Sequence, residues 1–145
     1  MTDLASWPVR IPRSVYIGDF NLAAHVGNVR YVEWMNIART DLNVQAGLIA
    51  DLEQHGAIAT HPVPVVSHFA ITYRFPLVTL DPVGLLSRVA AIDGDAFVQE
   101  HAIFVPHRDD VCARGESRLV MVDPGTGRKT AMTGAQRERL RAFSS

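Results

Sequence analysis

The 145-residue chain predicts an α+β fold, an antiparallel five-stranded sheet wrapped around one long helix. Three observations carry this. Residues 29–46 place Tyr31, Met35, Ala38 and Leu42 at helical spacing. After His61 the hydrophobic period changes to two and stays there for most of the remaining chain. The strand-like segments follow one another through short turns, signalled by Asp81-Pro82 and Asp93-Gly94, as a meandering antiparallel sheet requires.

Taken in order, the segment RSVYIGD at 13–19 contains Val15, Tyr16 and Ile17, which suit a pleated surface, and predicts a first strand. Asn28 then predicts an N-cap and Gly47 a terminator, with Val32 and Ile37 widening the apolar stripe of the helix between them. A shorter helix is expected at Leu48 to Gln54, closed by Gly56. In VVSHFAITYRF, Val65, Ser67, Phe69, Ile71, Tyr73 and Phe75 share one face of a long strand, and His68, Ala70, Thr72 and Arg74 share the other. Two strands at about 83–92 and 96–105 form a hairpin, and a last strand covers 111–122. There Val111, Ala113, Ser117, Leu119 and Met121 face opposite to Cys112, Arg114, Glu116, Arg118 and Val120. Thr133 and Gln136 have the spacing of a capping box before QRERLRAF, whose arginines read as a solvated helix face.

The chain is expected to form one domain over residues 1–145, since its length leaves little for a second. With 48% hydrophobic and 20% charged residues it can bury a core. A net charge of −1 offers no basic footprint for nucleic acid. Cys112 is the only cysteine, which excludes an internal disulfide and a cysteine-rich zinc site and fits a reducing cytoplasm. No apolar run is long enough to span a membrane, and no targeting segment is recognised. One helix cannot cover a long five-stranded sheet, so a homodimer or homotetramer is expected, protecting a face that carries Phe69, Ile71 and Tyr73 or their alternates.

The informative stretch is DFNLAAHVGNVRYVEWMNIART at 19–40. Its Asp19, His25, Val26, Asn28, Tyr31, Ala38 and Arg39 fall in register with the signature of the hot-dog thioesterases of the 4-hydroxybenzoyl-CoA thioesterase type, which the chain resembles. The resemblance continues through ITYRFP, GLLSRVAAI, FVQEHAIFV, ARGESRLVMVDPGTGR and RERL, from Arg13 to about Phe143. It implies a hot-dog fold and hydrolysis of an acyl-CoA or acyl-carrier-protein thioester to a free acid and a thiol, with no cofactor. One position departs from the pattern. Asn21 stands where the family usually has the carboxylate that attacks or activates water, and an amide has no basic lone pair at neutral pH. A hot-dog group associated with enediyne polyketide assembly also has Asn there, with a Tyr and an Arg on the following helix, and Asn21, Tyr31 and Arg39 match it by position.

Five residues are therefore candidates for the site. Asn21 orients water or the carbonyl, or else forms an Asx-turn leaving the first strand. His25 is the loop's one residue of a type that titrates near neutrality, hence the candidate base, or else a capping histidine. Asn28 caps the helix with its side chain, while its backbone N–H sits where the resemblance puts the carbonyl-polarising amide. Tyr31 lies on the apolar stripe with its hydroxyl directed to the site. Arg39 is a further polar group that can instead pair near Asp41 or with a partner subunit. Glu33 is a reserve base. His68, His101, Arg74, Arg88 and Arg108 have no metal-ligand spacing, so no metal is expected, and the arginines are open candidates for phosphates of the thioester carrier. No GxSxG elbow, phosphate loop or dinucleotide fingerprint is present. Two rival readings stand beside hydrolysis: a silent acyl-thioester-binding module, supported by the missing acid, and an enoyl-thioester hydratase or dehydratase.

Overall fold

The computed structural model describes residues 4–49 and 62–144. Its elements are β1 (Val9–Arg13), α1 (Asn28–Gln45), β2 (Val63–Tyr73), β3 (Val83–Asp93), β4 (Ala96–Val105), β5 (Asp110–Val122) and α2 (Gly134–Arg141). The five strands form one antiparallel sheet in the order β1-β3-β4-β5-β2, with α1 laid across β3, β4 and β1. This is the predicted architecture. The expected short helix at 48–54 runs into residues outside those described.

The first strand lies elsewhere than expected. β1 is Val9–Arg13, paired with β3, and Pro12 is tolerated there because β1 is an edge strand. Ile17–Asp19 of the expected strand instead forms a 3₁₀ turn, closed by the Tyr16 N–H donating to Asp19 Oδ2 at 2.8 Å. Tyr16 and Ile17 are consequently exposed and only Val15 of that segment is buried.

Helix α1 is capped one residue earlier than predicted. Gly27 is the N-cap, without a side-chain bond, and Asn28 is the first helical residue. Gly47 follows the helix in the left-handed region with φ 71°, as a terminating glycine does. Tyr31, Met35, Ala38 and Leu42 are buried as predicted, but Val32 and Ile37 are partly exposed and Trp34 takes the core position instead. Met35 fits because Gly115 of β5 has no side chain: a Cβ there would collide with Met35 Sδ.

Three bulges bend the sheet around the helix, at Ser67 in β2, Ala90 in β3 and Cys112 in β5. Each reverses the alternation, which corrects two predicted faces. Val66, opposite Leu119, shares the helix-facing side with Phe69 and Ile71, while Val65 turns outward. Val111 likewise turns away from Ala113 and packs with Trp7, Leu86 and Ala102 on the outer face.

Phe69 and Ile71 pack toward the helix core, so they are not the uncovered face expected from the sequence. The outer face carries Trp7 at one corner, with Arg88 stacked on it at 4.5 Å and paired with Glu100 at 2.9 Å, and Arg118 paired with Asp93 at 3.1 Å. A charged face of this kind tolerates water. At the C-terminus the capping box forms as predicted: Thr133 Oγ1 accepts from the Gln136 N–H at 3.1 Å, and Gln136 Oε1 accepts from the Thr133 N–H at 3.0 Å. Leu140 of α2 then closes the core beside Leu42 and Phe97.

Candidate active site

The loop from Phe20 to Gly27 doubles back on itself before α1. The Asn21 N–H donates to the His25 carbonyl at 2.9 Å and the Ala24 N–H to the Asn21 carbonyl at 3.1 Å, with Ala24 at φ 61°. Asp19 anchors both ends: its carbonyl accepts from the Gly27 N–H at 2.9 Å and its carboxylate pairs with Arg30 at 3.2 Å. The Asn21 side chain completes an Asx-turn, Oδ1 accepting from the Ala23 N–H at 2.9 Å.

This loop and the first turn of α1 form one wall of a pocket of about 430 Å³, and the end of β2 forms the other. His25, Asn28 and Tyr31 line the first wall, and Tyr73, Arg74 and Phe75 line the second. His25 Nδ1 lies 3.2 Å from the Val26 carbonyl. A carbonyl only accepts, so Nδ1 carries a hydrogen, and in the neutral ring the lone pair is on Nε2. Asn28, as the first helical residue, presents an N–H with no intrahelical partner at the positive end of the helix. The Tyr31 hydroxyl accepts from the Leu77 N–H at 3.0 Å, its ring meets Tyr73 edge-on at 5.3 Å, and burial raises its pKa. Tyr31 thus belongs to the core and the pocket at once.

Asn21 and Arg39 do not line this pocket. Arg39 sits further along α1, donating to Ser117 Oγ at 3.1 Å and to Asn36 Oδ1, with its guanidinium 5.8 Å from the Phe69 ring centre. It does not make the pairing expected near Asp41, whose carboxylate accepts from Gln45 at 2.5 Å. Glu33 pairs with Arg30 at 2.8 Å on the exposed side of the helix and is also outside the pocket.

Sequence reading missed the second wall. Tyr73 and Phe75 looked like ordinary members of an alternating strand, and only the end of β2 next to the helix N-terminus makes them pocket residues. Arg74 is tied to Asp110 and to the Val111 carbonyl, and Arg108 stacks 3.8 Å over Phe75. Beneath α1 runs a buried polar chain also missed: His101 Nδ1 lies 3.1 Å from Ser87 Oγ, and Nε2 lies 2.8 Å from Ser117 Oγ. Burial, and next the charge of Arg39, push the His101 pKa down to about 3.

Among solved structures, a protein of Pseudomonas aeruginosa strain PAO1 superposes with a TM-score of 0.80 at 22% identity, over 98% of this chain and 95% of that one. A thioesterase of Thermus thermophilus, solved with coenzyme A and zinc, superposes with a TM-score of 0.76 at 25% identity, over 94% and 95%. The fold is therefore the hot-dog fold of thioesterases. The long-chain acyl-CoA thioesterase FadM of Escherichia coli K12 is 28% identical over 116 residues, 80% of this chain and 84% of FadM. The sequence pattern of one family runs through the loop, α1, strands β2 to β5 and nearly all of α2, over residues 15–140, and the chain belongs to the thioesterase-like superfamily.

Proposed function

We propose that this chain is an acyl thioesterase that hydrolyses an acyl-CoA or acyl-carrier-protein thioester by direct attack of water. The observation that carries the reading is the juxtaposition, in one pocket of a thioesterase-like chain, of a histidine with a free ring nitrogen and a helix N-terminal amide without an intrahelical partner. The thioester carbonyl oxygen accepts from the Asn28 N–H, which meets the negative charge that develops there. His25 Nε2 takes a proton from water as the water oxygen bonds to the carbonyl carbon. The carbon–sulfur bond then breaks, the acid is released, and the proton passes from His25 to the departing thiolate. Asn21 orients the water from the adjoining loop, and Tyr31 acts as a secondary polar group, while Arg39, about three turns further along α1, stands away from the reacting carbonyl. Direct attack follows from the amide at position 21, which cannot form the anhydride that a carboxylate might.

Steady-state hydrolysis of a panel of acyl-CoA and acyl-carrier-protein thioesters, read by thiol release, tests this. Turnover above the buffer blank is expected for at least one substrate, and its absence throughout the panel would overturn hydrolysis. One observation favours a second reading, a silent acyl-thioester-binding module: the Asn21 side-chain oxygen is already engaged by the Ala23 N–H. Tight binding of the same thioesters without turnover would select it.

A further inference from the structure

Helix α1 rests over β3, β4 and β1, which leaves the helix-facing side of β2 only half covered. Phe69 and Ile71 pack half-buried against the core on this side, and Tyr73, next in the same row of β2, lines the pocket of His25 and Asn28. Asn28, Val32, Met35 and Arg39 fall within one arc of the helix, at successive turns. The other end of the row is marked by Arg39, whose guanidinium lies 5.8 Å from the Phe69 ring centre.

Arg39 is unusual for a half-buried cation. Two of its five N–H donors go to the neutral oxygens of Ser117 and Asn36, and among the described residues no carboxylate pairs with it. Burial lowers its pKa with no acidic group offsetting the cost. An uncompensated guanidinium in such a place is destabilising by itself and is a ready partner for a carboxylate, which it can grip with two parallel bonds.

Its position is also held from beneath, and the sense of the holding chain follows from Arg39 itself. A guanidinium only donates, so Ser117 Oγ accepts from it and turns its own hydrogen to His101 Nε2. His101 Nε2 is then an acceptor, and Nδ1 carries the hydrogen given to Ser87 Oγ. Protonated His101 would break this order, and its strongly lowered pKa keeps it neutral. The chain therefore holds a lone pair of Ser117 toward Arg39.

We propose that the acyl chain of the thioester lies along this row of β2 beside α1, and that Arg39, positioned by Ser117 and His101, binds a carboxylate at the far end of that chain. The proposal rests on the acyl-thioester reading above and names its substrate class. From Asn28 to Arg39 the helix rises about 16 Å, and an arginine leaning back toward the helix N-terminus shortens the reach to about 12 Å, an extended chain of roughly ten carbons.

The test compares decanoyl-CoA with the CoA monothioester of decanedioic acid. The wild type should show kcat/KM at least tenfold higher for the ω-carboxy substrate. In Arg39→Met and in Ser117→Ala that ratio should fall toward one, and Ser117→Thr, which keeps the hydroxyl, should retain it. A wild-type ratio of one or less, or a ratio that survives Arg39→Met, would overturn the proposal. If neither compound is hydrolysed, the hydrolase reading fails separately. Calorimetric titration of the same two thioesters then decides: at least tenfold tighter binding of the ω-carboxy compound, lost in Arg39→Met, supports the Arg39 site, and equal affinities refute it.

Discussion

The backbone N–H of Leu77 donates to the hydroxyl of Tyr31 at 3.0 Å, joining the segment that follows β2 to the first turns of α1. The Leu77 carbonyl accepts in turn from the Val26 N–H at 2.8 Å, next to His25. One residue therefore latches both walls of the pocket. Tyr31→Phe keeps the ring contacts but leaves the buried Leu77 N–H without its acceptor, at a cost of about 1–3 kcal/mol. Urea denaturation should show that loss with an unchanged slope, accompanied by a raised KM. A Tyr31→Phe protein as stable as wild type would mean that the latch contributes nothing.

Buried neutral His101 makes stability pH-dependent. Its folded pKa, lowered by burial and then by Arg39 to about 3, lies well below the ordinary histidine value of about 6.5. Between these values the unfolded chain binds more protons than the folded one. The stability associated with neutral His101 is present above the unfolded value and is lost as pH falls toward the folded one, by up to about 1.4 kcal/mol per pH unit. Denaturation at pH 7, 5 and 4 should find a steep loss in the wild type and a shallower one in His101→Gln, even if that variant starts lower. Parallel losses would remove His101 as the cause.

The sheet was legible because the period of two sets in after His61 and turn signals bracket the strands, of which Asp93-Gly94 can hardly be anything but a turn; Gly94 indeed sits at φ 61°. The first strand was not, because VRIPR carries two arginines and a proline, while the better-looking VYI is diverted by the capping bond of Asp19. The faces of Val65 and Val111 were misread because a bulge leaves no mark in an alternating pattern. In the site, His25, Asn28 and Tyr31 share one short stretch and could be named together. Tyr73 and Phe75 stand at and just beyond the end of β2, and the chain from Ser87 through His101 and Ser117 to Arg39 crosses β3, β4, β5 and α1, so only tertiary structure tells which of their neighbours they meet.

β2 is an edge strand of 11 residues with a free row of backbone groups, and Val65 and Val66 on it are 44% and 36% exposed. Such an edge invites pairing with another copy. Light scattering at micromolar concentration should find a homodimer or homotetramer, and Val65→Lys with Val66→Lys should shift it toward monomer. A folded wild-type monomer under these conditions would defeat the expectation.

If His25 is the base, hydrolysis should decline on the acid side as the imidazole takes up a proton and Nε2 loses its lone pair. The acid limb of the kcat/KM profile should disappear in His25→Ala, which should also be slower by roughly the 10²-fold to 10⁴-fold of a lost general base. A pH profile unaltered by the substitution would take His25 out of the mechanism and direct attention to Glu33, once freed from Arg30.

Asn21 decides whether the missing acid marks a working site or a retired one. Its Oδ1 holds the Ala23 N–H, so Asn21→Ala removes both an Asx-turn bond and any polar group offered to water. Asn21→Asp preserves the turn acceptor, is nearly isosteric, and supplies a carboxylate at this position. The two variants should diverge. With Asn21 orienting water, Asn21→Ala should lose roughly 10²-fold to 10³-fold in rate while remaining folded by circular dichroism. Asn21→Asp should keep substantial activity or exceed the wild type. Equal activity of Asn21→Ala and wild type would reduce the residue to a turn former. An inactive wild type rescued by Asn21→Asp would identify a binding module whose pocket still suits the reaction, because the amide of Asn28 and the ring of His25 would then need only the acid to complete it.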